Sequence, residues 1–336
     1  MSITGLGPHG EKAASPLALK LTDADGAEAA ARRFTVAVVL HTARSDWARQ
    51  QLAGISSVLG QYQSAVVEVI DCGFEPKAQI EAFARLTASK ADAIISIPLG
   101  NEAVADAHRL VHAAGKRLVL LDNAPTGLAP GRDYVCVVSA DNFGLGEIAA
   151  RLLSAHVGTE AGTGQTIGML TYGVDFFATS EREIAFRKWL AKHRPDVKTV
   201  QSKFPSLDQV QDCAVKLLGG PTPLVGLFAV WDEPAIIAVK AIEAAGLSVP
   251  VTTIDLGNAV ATNMARGGLI KAIGAQKPYD QGKAAAGATL LSLLGRDLPC
   301  WIALPGLAVT RDNVVEAYQS VWHAPAPAEL LSARWT

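Results

Sequence analysis

The chain has 336 residues, 49% hydrophobic, 18% charged and 6% aromatic, with a formal net charge of -2 at pH 7. That length favours two domains over a single core. The charge balance leaves no basic excess for nucleic acid and no polybasic segment for an anionic membrane surface. Cys72, Cys136, Cys213 and Cys300 are far apart and form no CxxC, which disfavours a zinc site or a disulfide framework. Cys136 lies in an apolar run and reads as a small core residue.

Residues 1–33 are rich in Ala, Gly, Asp and Glu and read as a flexible tail, with a short helix around 25–33. They lack the basic start and apolar h-region of a signal peptide. No stretch approaches 18 uninterrupted apolar residues, so no transmembrane helix is expected. The ordered part opens at 36–40, a continuous apolar run of the kind that forms a buried parallel strand. A polar elbow follows, His41 to Trp47, at the strand end where open α/β sheets hold ligands. Trp47, Leu52, Ile55 and Leu59 have helical spacing. Then come a strand at 65–70, a helix at 76–89, a strand at 92–97 and a helix at 101–114 closed by Gly115. Two more strands are predicted at 117–121, tipped by Asp122-Asn123, and at 134–139.

The pattern restarts at 140–142, where Asp141 or Asn142 fits the N-cap of a helix reaching about His156. A Gly/Thr loop at 158–164 precedes a strand at 166–171, a polar-aromatic loop at 172–180 and a helix to about His193. A strand at 197–203, a helix at 207–218 and a strand at 224–230 tipped by Trp231-Asp232-Glu233 follow. A helix to Ala245, closed by Gly246, leads to a strand at 251–254 tipped by Asp255. A short helix at 258–265, a strand at 269–275 tipped by Gln276, a helix at 279–294 and a strand at 302–309 finish the ordered part. From about 324 the chain reads as a peripheral tail. Repeated β-α alternation predicts two parallel α/β units with right-handed crossovers, near 34–140 and 141–276. The final αβ piece must dock on one of them, and several crossings between units would form a hinge.

The segments VAVVLHTARSDWARQQLAGI, RLVLLDNAP, VVSADNFGLGEIAA, TSEREIAFRKWL, GLFAVWDEPAIIAVKAIEAAG, VTTIDLGN and IGAQKPYDQG, in this order and spacing, resemble the type I periplasmic binding proteins. Within these, the chain looks like the ribose-binding-like solute receptors of ABC sugar and polyol importers, over roughly residues 35–317. The resemblance implies an α/β fold of two Rossmann-like lobes with parallel sheets and a three-segment hinge near Ala140, Gln276 and Pro305. It divides the chain into an N-terminal lobe of 34–140 plus 277–305, a C-terminal lobe of 141–276 plus 306–322, and a tail at 323–336. It implies a small sugar or sugar alcohol in the inter-lobe cleft, a membrane permease as partner and a monomeric, non-enzymatic receptor without cofactor or metal. It also implies a periplasmic or extracytoplasmic location, although no signal peptide is visible.

The family's ligand-contacting strand tips fall on Ser45, Trp47, Asp122, Asn123, Arg182, Phe204, Trp231, Asp255 and Gln276. Three positions depart from the ribose-binding pattern: Asn123 stands in place of Arg, Trp231 in place of Asn, and the elbow reads Ser45-Asp46-Trp47-Ala48. The ligand is therefore expected not to be ribose, and HTARSDW, VWDEPA and YGVDFFATSEREIAFR are similar to the polyol-type members. The residue types suit that chemistry, since aromatic faces cover C–H surfaces and charged groups bind hydroxyls.

Each contact has a plainer reading beside it. Asp122, Asp255 and especially Asp232 could cap a following turn or helix. Arg182, between Glu181 and Glu183, could make a surface ion pair. His41, Arg44, Phe177 and Asp232 are secondary candidates. Gly144, Gly146 and Ala149 match G-x-G-x-x-A, but the acidic ribose-reading residue about 20 positions on is missing. His108 and His112 lack the Glu of H-E-x-x-H and read as surface residues of a helix. Two other functions stay open: a cytosolic sugar-sensing effector domain of the same fold, for which 1–33 is too short to be a DNA-binding head, and a sugar-modifying enzyme.

Overall fold

The computed structural model describes residues 3–158 and 165–333. Most of the Gly/Thr loop expected at 158–164, and the extreme ends of both expected tails, lie outside the described residues. The chain begins with α1 (Asp23–Arg32), β1 (Thr35–Leu40), α2 (Asp46–Gln61), β2 (Ala65–Asp71), α3 (Pro76–Thr87), β3 (Ala93–Ser96), α4 (Ala105–Ala113), β4 (Arg117–Leu121) and β5 (Val137–Ala140). It continues with α5 (Asn142–Ser154), β6 (Gln165–Tyr172), α6 (Phe177–His193), β7 (Val197–Phe204), α7 (Val210–Leu218), β8 (Leu224–Ala229), α8 (Asp232–Ala244), β9 (Val251–Ile254), α9 (Asn258–Ala265) and β10 (Ile270–Ala275). The remainder is α10 (Pro278–Leu293), β11 (Trp301–Leu304), β12 (Leu307–Val309), α11 (Val314–Trp322) and α12 (Ala328–Ala333).

The strands form two six-stranded sheets, ordered β2-β1-β3-β4-β5-β11 and β7-β6-β8-β9-β10-β12. All pairs are parallel except β10 with β12. The fold is α/β, two lobes built on one plan. β1 explains why the central strands read as unbroken apolar runs. Val36, Val38 and Leu40 pack with α2 and α10 on one face, while Ala37 and Val39 pack with α3 and α4 on the other.

The chain passes between the sheets three times, from β5 to α5, from β10 to α10 and from β11 to β12. The single strand expected at 302–309 is therefore two strands in different sheets. Pro305 has no N–H to continue the ladder. Gly306 passes so close to α5 that a Cβ there would lie 2.5 Å from a Leu145 methyl.

The flexible tail expected at 1–33 is not found among residues 3–33. Thr22 and Asp25 form a capping box at α1. Leu19 and Ala29 are buried, and Gly26 lies against the Tyr62 ring. Ala14 bridges to Ile302 beside β11, and the Thr4 and Gly5 amides donate to Asp141 at 2.8 and 3.0 Å. The composition looked solvated because few of these residues are large and apolar, yet the small ones fit close against the first lobe. The peripheral C-terminal tail is corrected in the same way: Ala326, Leu330 and Ala333 enter the core of the second lobe. His108 is not a surface residue either. It is fully buried between Ser96 Oγ (3.2 Å) and the Val104 carbonyl (2.8 Å), and burial holds it neutral, with a pKa of about 4.

Candidate functional site

Residues that follow the strands of both sheets line one cavity of about 450 Å³ between the lobes. This is the carboxyl-end crevice of an open α/β sheet, doubled, and its size is that of a small-molecule site.

Two aspartates occupy matching places. Asp122 follows β4 and Asp255 follows β9, the fourth strand from the β2 and β7 edges of their sheets. Both have left-handed backbones, φ 56° and 72°. Asp tolerates this conformation better than bulky residues do, and the sharp turn leaves the carboxylate at the cleft. Asp122 Oδ2 accepts from Gln281 Nε2 at 2.8 Å, while its buried Oδ1 has no partner in the protein. Asp255 Oδ1 accepts from Gln276 Nε2 at 2.7 Å, and the buried Gln276 Oε1 likewise has no partner. Burial pushes the Asp122 pKa up to about 6, with Gln281 and the Arg182 charge opposing. Burial also raises Asp255, against the opposing Arg182 guanidinium and Gln276 amide.

Arg182 projects from α6 and is buried. Its Nε donates to Asn142 Oδ1 at 2.9 Å and its Nη1 to the Val230 carbonyl at 3.0 Å. Burial lowers its pKa, and Asp255, Asp122 and Asp232 counter that effect. An arginine in such company stays protonated. Its position depends on Gly146 in α5, where a Cβ would lie 2.3 Å from the Arg182 carbonyl oxygen. Asp232 begins α8. Its pKa is raised well above the ordinary carboxylate range by burial and then by the charges of Asp255, Glu233 and Asp46.

Aromatic rings wall the cavity. Trp47 meets His41 edge-on with centroids 5.7 Å apart, and His41 meets Phe74 at 5.1 Å. On the other lobe Trp231 meets Tyr172 edge-on at 5.2 Å, with Phe204 behind it at 5.1 Å. Among the described residues, Trp47 Nε1 and His41 Nδ1 are buried without a hydrogen-bond partner. Burial lowers the His41 pKa to about 4, so its ring is neutral at pH 7.

Of the residues singled out from sequence, Ser45, Trp47, Asp122 and Arg182 line the cavity together with Trp231, Asp255 and Gln276. So do His41 and Asp232. The Ser45 hydroxyl accepts from the Ala48 amide and caps α2. Four candidates fall elsewhere. Asn123 is buried behind the cavity, with its Nδ2 donating to the Pro98 and Gly100 carbonyls and its Oδ1 accepting from the Phe177 amide. The left-handed turn at Asp122 sends the next side chain away from the cleft. Phe204 is fully buried in the second core and supports Trp231 rather than facing a ligand. Arg44 is exposed and pairs with Asp71. Phe177 does not line the cavity, because α6 already begins there, inside the loop expected at 172–180, and its neighbour Phe176 lines the cavity instead.

Sequence reasoning missed Tyr172, Phe176, Glu233, Gln281 and Asn142. Tyr172 ends a buried strand, so the strand-tip rule that found Trp231 could have found it. Gln281 and Asn142 hold the cavity-lining Asp122 and Arg182 from distant helices, and no local pattern marks them. Gly144 and Gly146 lie within α5: a Cβ on Gly144 would strike the capping Asp141 carboxylate and one on Gly146 the Arg182 backbone of α6, so the helix cap accounts for the first and helix packing for the second. Among the described residues no group of three or more His, Cys, Asp or Glu side chains is arranged to hold a metal ion.

Two parallel-sheet lobes, three crossings and a polar, aromatic-walled cleft at the strand ends define a hinged two-lobe binding protein. Residues 36–297 match the periplasmic binding protein domain family, and the chain belongs to it. Several solved structures share the fold. One is an ABC transporter solute-binding protein of Agrobacterium vitis bound with α-D-tagatopyranose, 20% identical, with a TM-score of 0.76 over 84% of this chain and 96% of the other. Another from Agrobacterium vitis, with bound allitol, is 18% identical, with a TM-score of 0.74 over 85% and 98%. A third, from Actinobacillus succinogenes with bound D-allose, is 23% identical, with a TM-score of 0.73 over 84% and 99%. No curated protein matches the chain.

Proposed function

We propose that this chain is the solute-binding component of an ABC importer and closes on a small sugar or sugar alcohol between its lobes. The observation that carries the reading is the pair of buried aspartates, one from each sheet, facing a common cavity with Arg182 between aromatic walls. The sugars and polyols held by structures of the same fold support it.

The parts divide the work by chemistry. Trp47, Trp231 and Tyr172 offer faces and edges to C–H surfaces. Asp122, Asp255 and Arg182 make charge-assisted bonds to hydroxyls, which are stronger than neutral ones. Asp122 Oδ1 and Gln276 Oε1 need donors, and Trp47 Nε1 needs an acceptor. A ligand that leaves one of these buried groups unmatched forfeits about 1–3 kcal/mol, which is the source of selectivity. Bonds between the lobes, Asp46 to Asn258 and Phe177 to Asn123, hold the cleft closed over the ligand. The protein works by binding and release, as a monomer, outside the cytoplasm, and delivers its ligand to a membrane permease. No helix among the described residues is long and apolar enough to cross a membrane.

A thermal-shift screen of pentoses, hexoses, tetritols, pentitols and hexitols tests the reading, since a ligand that binds the native state raises its melting temperature. At least one sugar or polyol is expected to raise it in a concentration-dependent way. Arg182→Ala and Asp255→Ala are expected to lose about 2–4 kcal/mol of binding while remaining folded by circular dichroism. Wild-type affinity in both variants would sink the site assignment. Turnover of a polyol with a nicotinamide cofactor would instead favour the enzyme reading.

A further inference from the structure

The charges around the cleft are lopsided. Among the described residues six carboxyl side chains line it, Glu75, Asp122, Asp208, Asp232, Glu233 and Asp255, against one guanidinium, Arg182, and no lysine. Glu75 and Asp208 are exposed at the rim, where water and salt screen them. The other four lie deeper, so the inner cleft sets four carboxyls against one cation. That cation is already engaged with Asn142 and the Val230 carbonyl.

A second observation points to a ligand. Asp122 is 3% exposed and Gln276 2% exposed; both residues line the cavity, and among the described residues the buried Oδ1 and Oε1 meet no hydrogen-bond donor. A further carboxylate approaches from the first lobe. A methyl on Gly257 would lie 2.2 Å from Asp232 Oδ2 and 3.6 Å from Asp46 Oδ2, so the two acids meet beside that glycine, Asp46 being paired with Arg49 and Asn258 while Asp232 has no cation of its own among the described residues. Burial and mutual repulsion raise the pKa of Asp232, and the same influences raise Glu233. A positive charge placed among these groups relieves the repulsion and supplies the missing donors together.

We propose that the cleft takes a polyhydroxylated amine, a sugar or sugar alcohol carrying one protonated amino group, in preference to its neutral counterpart. The proposal rests on the solute-binding reading and narrows its substrate class. An ammonium brings three donors and no acceptor. It therefore suits Asp122 Oδ1, Gln276 Oε1 and the Asp232–Asp255 side of the cavity, while the ligand's hydroxyls serve Arg182 and Trp47 Nε1. A hydroxyl in the ammonium's place brings one donor and leaves the excess negative charge uncompensated. Sugar acids and sugar phosphates meet repulsion from the same groups.

Calorimetric titration at pH 7 of matched pairs tests this: D-glucitol against 1-amino-1-deoxy-D-glucitol, D-glucose against D-glucosamine, and D-galactose against D-galactosamine. At least one amine is expected to bind roughly tenfold or more tightly than its neutral partner. N-acetylation, which removes the charge, is expected to abolish that advantage. The ratio of amine to neutral affinity is expected to shrink in Asp232→Asn, with Glu233→Gln as a second variant should the first fail to fold. Neutral members that bind as tightly as the amines, or more tightly, overturn the proposal and leave the solute-binding reading standing. No binding by either set, after the full sugar and polyol screen is also negative, overturns both.

Discussion

At Asp122 one side chain shows how the cavity between the lobes is lined at a cost in stability. Its carboxyl is buried with one oxygen unpaired, and its pKa rises from the ordinary 3.8 to about 6. Between these values the native state holds a proton that the unfolded chain has released, so Asp122 makes stability fall as pH rises from about 4 to about 6. Above that range the full difference is worth about 3 kcal/mol. Asp122→Asn removes the charge, keeps an acceptor for Gln281 and tolerates the left-handed backbone. It is expected to raise the melting temperature of the ligand-free protein at pH 7. The gain should shrink through pH 6 and vanish near pH 4, while ligand affinity falls. A pH series of melts on both proteins checks it, and a gain that persists at pH 4 refutes the assignment. His41 and His108 act with the opposite sign. Their pKa values fall from 6.5 to about 4, so the unfolded chain takes up protons first and stability drops as pH falls through that window. Asp122 and Asp255 were legible in the sequence because apolar strands deliver them to a known edge. Asn123 was not, because one backbone torsion at Asp122 decides which way the next side chain points.

Helix packing around the site depends on glycines whose role no periodicity reveals. α2 and α10 approach backbone to backbone: a Cβ on Gly282 would lie 2.0 Å from the Gln51 carbonyl oxygen, and one on Gly54 2.0 Å from that of Tyr279. Alanine normally stabilises a helix interior relative to glycine by about 1 kcal/mol. Here the obstacle is backbone, which no rotamer change can move aside, so the sign reverses. Gly282→Ala is expected to destabilise by about 1–3 kcal/mol or more. Gly60→Ala, near the open end of α2 with nothing within 4 Å of the new methyl, is expected to stabilise by a few tenths to about 1 kcal/mol. Urea midpoints of the two variants decide it: equal shifts would refute the packing argument. Because α10 also carries Gln281, displacing it disturbs the partner of Asp122.

Across the whole molecule, two lobes meet through three crossings and a few polar contacts. Asp46 at the start of α2 accepts from both the amide and the side chain of Asn258 in the other lobe, each at 3.1 Å. The Asn258 side chain in turn accepts from Tyr318 at 2.6 Å. The Asp46 contacts are exposed, so each contributes only about 0.5–1.5 kcal/mol. Asp46→Ala is expected to leave the ligand-free protein close to wild-type stability and to weaken ligand binding about three- to tenfold, chiefly through faster dissociation. Stopped-flow release kinetics beside melting curves measure both. A large loss of stability with unchanged release would assign Asp46 to folding rather than closure. The N-terminal segment adds a further tie. It joins Asp141, at the first crossing, to β11, beside the third.

The sequence by itself determined the elements and their plan. Unbroken apolar runs, helical spacing and a cap at Asp141 or Asn142 are local signals, and in order they specify two parallel α/β units. It also placed Trp47, Trp231, Asp122, Asp255, Arg182 and Gln276 near strand ends or helix starts, where ligands bind. Only the tertiary structure decided what those ends enclose. It split the run at Pro305 between two sheets, folded both expected tails into the lobes and turned Asn123 and Phe204 away from the cavity. It also gathered Asp122, Asp232 and Asp255 around one arginine, with Glu233 in the same cavity. Residue type fixes a side chain's chemistry, but its burial, its partners and the charges it faces come from segments more than a hundred residues apart, brought together by the crossings between the lobes.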